Sequence, residues 1–130
     1  MKLHHLALTL KNKEEVRLFY EQVLGFSLIR KFELDAKLAS QIFDSNKNVQ
    51  VFQMEGHGMT LELFIDERTK QNNYNHWCLS FSNREEFIKK AQAQKAKVIR
   101  IPRETHDLIF VKDQSGNIFE IKEEYNTTNG

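Results

Sequence analysis

Two histidines and two glutamates occupy matched places in this chain. His5 opens HLALTLKNKEEV and His76 opens HWCLSFSNREEF; both stretches alternate apolar residues, then reach Asn, a basic residue and two glutamates at the same spacing. Further along each half, MTLELFID places Glu62 between Thr60 and Phe64 on one strand face, and NIFEIKEE places Glu120 between Ile118 and Lys122. An ionised glutamate among apolar neighbours is costly unless a cation or a dense set of hydrogen bonds compensates it. Valine or isoleucine would serve a strand core better than histidine. Two imidazoles and two carboxylates suit a divalent transition metal, with room for water in the remaining positions of an octahedron. The spacing excludes a local helical motif, so the four can meet only if equivalent positions of two similar halves converge in space. The competing account, a duplicated unit that merely buries a shared face, leaves both histidines unexplained.

The elements that must position these residues are legible as a repeat. Leu3 to Leu10 reads as a strand with Leu6, Leu8 and Leu10 on one face and His5, Ala7 and Thr9 on the other. Asn12 stands as a helix N-cap with Glu14 and Glu15 behind it, and Val16, Phe19, Tyr20, Val23 and Leu24 predict a buried helical stripe that Gly25 ends. The second copy repeats this: Trp77, Leu79 and Phe81 face one way, His76, Cys78 and Ser80 the other, Asn83 caps, and Phe87, Ile88 and Ala91 turn inward. Strands are expected at Phe26 to Phe32, Asn48 to Met54 and Met59 to Ile65 in the first half. In the second they are expected at Val98 to Ile101, Asp107 to Lys112 and Asn117 to Glu123. The turns Glu55-Gly56-His57-Gly58 and Asp113-Gln114-Ser115-Gly116 join the last two strands of each half. Leu34 to Ser45 is an insertion-like stretch with room for a short helical turn. Residues 1–70 and 71–125 thus read as two modules of one compact domain, with a polar linker at Arg68 to Asn75 and a frayed tail at 126–130.

Composition narrows the function. Within 130 residues, 40% hydrophobic and 28% charged, one ordinary soluble domain is expected. Nineteen basic against eighteen acidic residues, without a concentrated basic stretch, argue against nucleic acid as a partner. No apolar run approaches a membrane span, the start of the chain does not read as a signal peptide, and the single Cys78 fits a reducing compartment. The expectation is a cytoplasmic protein that engages neither nucleic acid nor a membrane.

The pattern H-x-A-L-T-L followed by F-Y-E-Q-V-L-G-F at His5 to Phe26, E-L-F at Glu62, H-W-C-L-S-F at His76 and F-V-K-D-Q-S-G-N-I-F-E at Phe110 to Glu120 resembles the glyoxalase / vicinal oxygen chelate superfamily. The resemblance covers nearly the whole chain. It implies an α+β fold of two pseudosymmetric βαβββ modules, forming a curved mixed sheet around a metal cavity with helices on the outer face, commonly in a homodimer. Carried over residue by residue, the metal ligands are His5, Glu62, His76 and Glu120. This set looks most like bacterial glyoxalase I, which implies Ni²⁺ or Co²⁺, with Zn²⁺ as the alternative, and a lactoylglutathione lyase-like activity. A metal that binds two neighbouring oxygens stabilises the charge left when an adjacent proton departs. The resemblance assigns that proton to Glu120, with Glu62 as its counterpart. Where many members have Pro after the Asp of the final turn, this chain has Gln114, and residues that would hold glutathione are not assignable.

Three alternatives stand beside this reading. An epimerase-like isomerase of the superfamily would carry Gln in the first module and often a His-His pair opening the second, where this chain has Glu62 and Asn75-His76. A ring-cleaving dioxygenase would use two His and one Glu around Fe²⁺, so Glu62 counts against it. A metal-free drug-binding protein of the bleomycin-resistance kind would have no use for four intact ligands. Among other residues, His4 is expected on the face opposite His5 as a rim residue, and His57 in an exposed turn that could cover the cavity. His106 precedes a strand and is read as structural, with the pocket as its alternative. Cys78 is a small buried filler or else a pocket thiol, and Trp77 belongs to the core.

Overall fold

Strand alternation in the sequence becomes two four-stranded mixed sheets, one in each of the two units into which the chain divides, Met1–Lys70 and Gln71–Gly130. The structure is a computed structural model and describes residues 1–68 and 74–124. Most of the expected linker and all of the expected tail lie outside the described residues. No described helix is long and apolar enough to cross a membrane.

In the first unit β1 (Leu6–Leu10) leads into a π-helix (Val16–Glu21), β2 (Ser27–Leu34), α1 (Ala36–Phe43), β3 (Val49–Gly56) and β4 (Met59–Ile65). The sheet order is β1-β4-β3-β2, with β1 parallel to β4 and the other pairs antiparallel. One face carries Leu10, Phe52, Met54, Leu61 and Leu63, all buried together with Val16, Phe19, Tyr20, Val23 and Leu24 of the helical segment. That segment is a π-helix where an α-helix is expected. Its buried positions are Glu15, Phe19, Val23 and Val16, Tyr20, Leu24, two columns at strict intervals of four. A repeat of four lies between the 3.6 residues of an α turn and the wider i→i+5 turn, so a helical run that mixes the two keeps both columns on one side. Asn12 caps the segment as expected, its side chain accepting from the Glu14 amide (2.9 Å), while Glu15, read from sequence as a first-turn carboxylate, is buried.

The insertion is more ordered than expected. Asp35 caps α1 by accepting from the Leu38 amide (2.9 Å), and Asn48 accepts from the Ala36 amide (2.7 Å). Ala39 of α1 packs with Val49, Val51, Phe32, Leu34 and Phe64, which lie on the second face of the sheet. That face also carries Glu62, so α1 builds an apolar bank beside it. The hairpin between β3 and β4 turns on His57 and Gly58, both at positive φ (54° and 73°), as a two-residue type I′ turn requires.

In the second unit the order is β5 (Trp77–Phe81), α2 (Arg84–Ala93), β6 (Lys97–Ile101), β7 (Leu108–Lys112) and β8 (Ile118–Glu123), with sheet order β5-β8-β7-β6 and β5 parallel to β8. Asn83 caps α2 by accepting from the Glu86 amide (3.2 Å), Glu85 and Glu86 sit in the first turn, and Phe87, Ile88 and Ala91 are buried, all as the sequence predicts. Lys95 adopts a left-handed φ of 63° and ends the helical run. Beneath α2 lie Ile109, Val111, Phe119 and Ile121, each almost fully buried. Both units therefore have the strand-helix-strand-strand-strand order expected, with α1 added in the first.

Candidate metal centre

Each parallel strand pair makes the same small construction. In β1–β4, Ala7 pairs with Glu62; in β5–β8, Cys78 pairs with Glu120. His5 and His76 stand two residues before those partners, each one residue ahead of its strand, so each imidazole leans diagonally toward the carboxylate on the neighbouring strand. His5 Nε2 lies 3.6 Å from Glu62 Oε1, and His76 Nε2 lies 3.7 Å from Glu120 Oε1. These separations exceed a good hydrogen bond. They are close to the edge of a coordination polyhedron, roughly 3.0–3.4 Å for two ligands each about 2.1 Å from one ion.

The far ring nitrogen is engaged in both cases. His76 Nδ1 is 2.8 Å from the Tyr74 carbonyl oxygen, which accepts only if Nδ1 carries the proton. In the neutral ring this leaves the Nε2 lone pair turned toward Glu120, the arrangement by which an outer partner orients a ligating histidine. His5 Nδ1 is 2.8 Å from His4 Nδ1; with His5 as the donor, a side chain fills the role that a backbone carbonyl fills in the second unit. This corrects the placement of His4 on the opposite face: both residues precede β1, where strand alternation does not yet apply.

The glutamates are mostly buried and the histidines more open, with side-chain exposures of 14% and 19% against 38% and 41%. Within each pair the carboxylate is thus the more deeply buried group. Phe110 packs edge-on to His76, with ring centroids 6.1 Å apart. Lys122 Nζ is 3.6 Å from Glu120 Oε2, so that carboxylate is held between an imidazole and an ammonium. Among the described residues no three His, Cys, Asp or Glu side chains gather in an arrangement that could hold a metal ion. Each unit supplies a pair.

The remaining candidates sort cleanly. Cys78 is exposed, not a buried filler, and shares the face of Glu120; partial burial, then the Glu120 charge, push its thiol pKa up. A thiol so placed is a poor nucleophile at neutral pH. Trp77 lies on the other face, its ring 5.8 Å from that of Phe119. His57 Nε2 meets the Leu24 carbonyl at 2.5 Å and its ring packs edge-on to Phe26, which ties the hairpin turn to the end of the helical segment. His106 is exposed on the bend before β7.

With this geometry in place, comparison with known proteins is decisive at the level of family. The sequence profile of the Glyoxalase/Bleomycin resistance protein/Dioxygenase superfamily matches residues 2–121. The chain belongs to this superfamily. Solved structures of like fold include a glyoxalase family protein from Enterococcus faecalis (21% identity, 92% of this chain and 95% of that one, TM-score 0.67). Others are the fosfomycin resistance protein FosX from Listeria monocytogenes (15%, 96% and 94%, 0.72) and a glyoxalase family protein from Bacillus cereus (12%, 97% and 95%, 0.73). No curated protein sequence matches the chain. At these identities the likeness fixes the fold of this superfamily member and leaves its reaction to be argued from its own residues.

Proposed function

We propose that this superfamily member is a divalent-metal-dependent enzyme of the glyoxalase kind, a lyase or isomerase acting on a small oxygenated substrate, with His5, Glu62, His76 and Glu120 as the metal ligands. The observation that carries the reading is the repeated pair: in each unit an imidazole Nε2 faces a carboxylate oxygen at close to ligand-ligand separation, with the other ring nitrogen already bonded. A set of two nitrogens and two oxygens suits Ni²⁺, Co²⁺ or Zn²⁺. Support for a metal also comes from a crystal structure of a Listeria FosX variant complexed with Mn(II) and 1S,2S-dihydroxypropylphosphonic acid.

A divalent ion at these residues supplies Lewis-acid stabilisation of negative charge on two neighbouring substrate oxygens. The chain itself supplies the base. Glu120, anchored by Lys122 at its second oxygen, is the group assigned to take a proton from the carbon next to those oxygens and to return it. Glu62 mirrors it, but among the described residues no ammonium pairs with it: the position equivalent to Lys122 is Phe64, whose ring packs edge-on to Phe43 of α1. The two glutamates therefore differ in surroundings, and Glu62 is assigned as a ligand and Glu120 as ligand and base. Apolar Phe64, Val51 and Phe32 beside Glu62 exclude water from that side of the substrate.

The test is metal content of the purified protein, then turnover of the hemithioacetal of methylglyoxal with glutathione and other thiols, with and without chelator. Bound metal at a fixed ratio per chain and chelator-sensitive activity are expected. Glu120→Gln should retain metal and lose about 10²–10⁴-fold in turnover, the usual contribution of a positioned base. Full turnover in that variant removes the base assignment, and wild-type protein that binds no metal removes the whole reading.

A second reading draws on FosX, named as a fosfomycin resistance protein, whose Listeria and Mesorhizobium loti forms share the fold with TM-scores of 0.72 and 0.69. Fosfomycin consumption in the same assay distinguishes it.

A further inference from the structure

Strand β2 carries a bulge. Leu28 pairs with Met54 and Arg30 with Gln53, so Ile29 is an extra residue with no partner on β3. A bulge re-aims the side chains that follow it. Without it the alternation set by Ser27 would send Ile29, Lys31 and Glu33 to the Glu62 face; with it Arg30, Phe32 and Leu34 go there instead. Arg30 then lies in one cross-strand row with Gln53, Glu62 and Ala7. Its backbone is two strands from that of Glu62, about 10 Å at ordinary strand spacing.

The guanidinium is held in place by neutral groups. Arg30 Nε donates to Gln53 Oε1 (2.9 Å), and the cation sits 4.7 Å above the Phe32 ring centroid. Arg68 and Arg100, by contrast, are paired with Asp66 and with Glu85 and Asp107. Among the described residues no carboxylate pairs with Arg30, so its charge is oriented but not cancelled. A stacked arginine presenting its terminal nitrogens is suited to bidentate binding of carboxylate or phosphonate oxygens.

We propose that Arg30 anchors an anionic group of the substrate, a carboxylate or a phosph(on)ate, several bonds away from the oxygens that bind at His5 and Glu62. This rests on the reading of those two residues as metal ligands only for the direction in which the substrate lies. Gln53 and Phe32 orient the guanidinium, and the row of Phe32, Val51 and Phe64 runs alongside the one that holds Arg30, Gln53 and Glu62.

The experiment is a chemical-shift titration of the full chain with methylphosphonate, acetate and uncharged 1,2-propanediol, in chelator-treated and cobalt-loaded protein. Arg30→Met should weaken binding of the preferred anion about tenfold or more, the scale of a charge-assisted hydrogen bond, and leave 1,2-propanediol unchanged. Lys31→Met removes the same charge from the opposite face, where Lys31 Nζ lies 6.0 Å from the Phe52 ring, and should leave anion affinity within about twofold. Gln53→Leu, which frees the guanidinium without discharging it, should give an intermediate loss. Preference for methylphosphonate or for acetate assigns the anion class. Equal losses in Arg30→Met and Lys31→Met, no loss in Arg30→Met, or no binding of either anion by wild type each overturn the proposal. Cobalt affinity, read separately, should be unaffected by Arg30→Met; wild type that binds anion through Arg30 and no cobalt sinks the metal reading and leaves this one standing.

Discussion

Cys78 and Glu120 sit directly across from one another in the parallel β5–β8 ladder, on the same face of the sheet. The thiol is accordingly a reporter of the carboxylate's charge. Burial and Glu120 raise its pKa, and Lys122 opposes them more weakly. Alkylation of Cys78 by iodoacetamide at pH 7.5, followed by mass spectrometry, should be slower than that of an unstructured thiol peptide, because thiolate is the reacting form. Glu120→Gln should accelerate it. A rate unchanged by that substitution would mean that the two side chains are not neighbours.

His4 is expected to matter for metal affinity although it is not a ligand. His4→Phe keeps a ring edge-on to His5, now 5.1 Å between centroids, and removes the nitrogen that bonds His5 Nδ1. Cobalt affinity measured by titration should fall about 10–100-fold, the usual cost of losing an outer-shell partner. Tyr74→Ala is the matching control, since the carbonyl that bonds His76 remains; its affinity should be that of wild type.

Acid sensitivity of the first unit is expected to concentrate at Asp66. Its carboxylate accepts from Arg68 Nη2 (2.6 Å) and Nε, and Lys47 Nζ lies 3.2 Å away. The Arg68 bonds, with help from Lys47 and against burial, hold its pKa well below the ordinary carboxylate range. A depressed folded-state pKa gives stability that is present in full above the unfolded value of about 4 and is lost as pH falls below it. Asp66→Asn should therefore melt lower than wild type at pH 7, with the two melting temperatures converging as pH drops below about 4. A constant gap across that range would show that the ion cluster is not responsible.

His57 is expected to be structural. It stands at a positive φ, which asparagine tolerates and a β-branched residue does not. His57→Val should cost about 1–2 kcal/mol more than His57→Asn from backbone strain alone, measured by urea unfolding. Both should bind cobalt as wild type does. A selective loss of substrate affinity in His57→Asn would restore the idea of a turn that covers the site.

The repeat, the eight strands among the described residues and the matched placement of one histidine and one glutamate in each half were legible because they rest on period-two alternation and on local turn chemistry. Asn83 and its two glutamates show the same for α2, where cap, dipole and stripe agree. The first helical segment was legible as a buried stripe but not as a π-helix, since Val16, Tyr20 and Leu24 satisfy either period until packing chooses. His4 was misplaced because a face was assigned to it before the strand had begun. Arg30 was invisible for a different reason: nothing in SLIRKFEL says where an unpaired residue will fall, and the face of every side chain beyond it depends on that. What pairs across strands is set by tertiary hydrogen bonding, which composition and spacing do not encode.

The unpaired Ile29 has one more consequence. Because a strand alternates with a period of two, gain or loss of a single residue there exchanges the whole set of side chains offered to a ligand for its complement, while every other amino acid in the strand is kept. Ligand choice along this edge is thus open to change in a discrete step, by length, at a position whose own side chain is solvent-exposed and contributes little to the core.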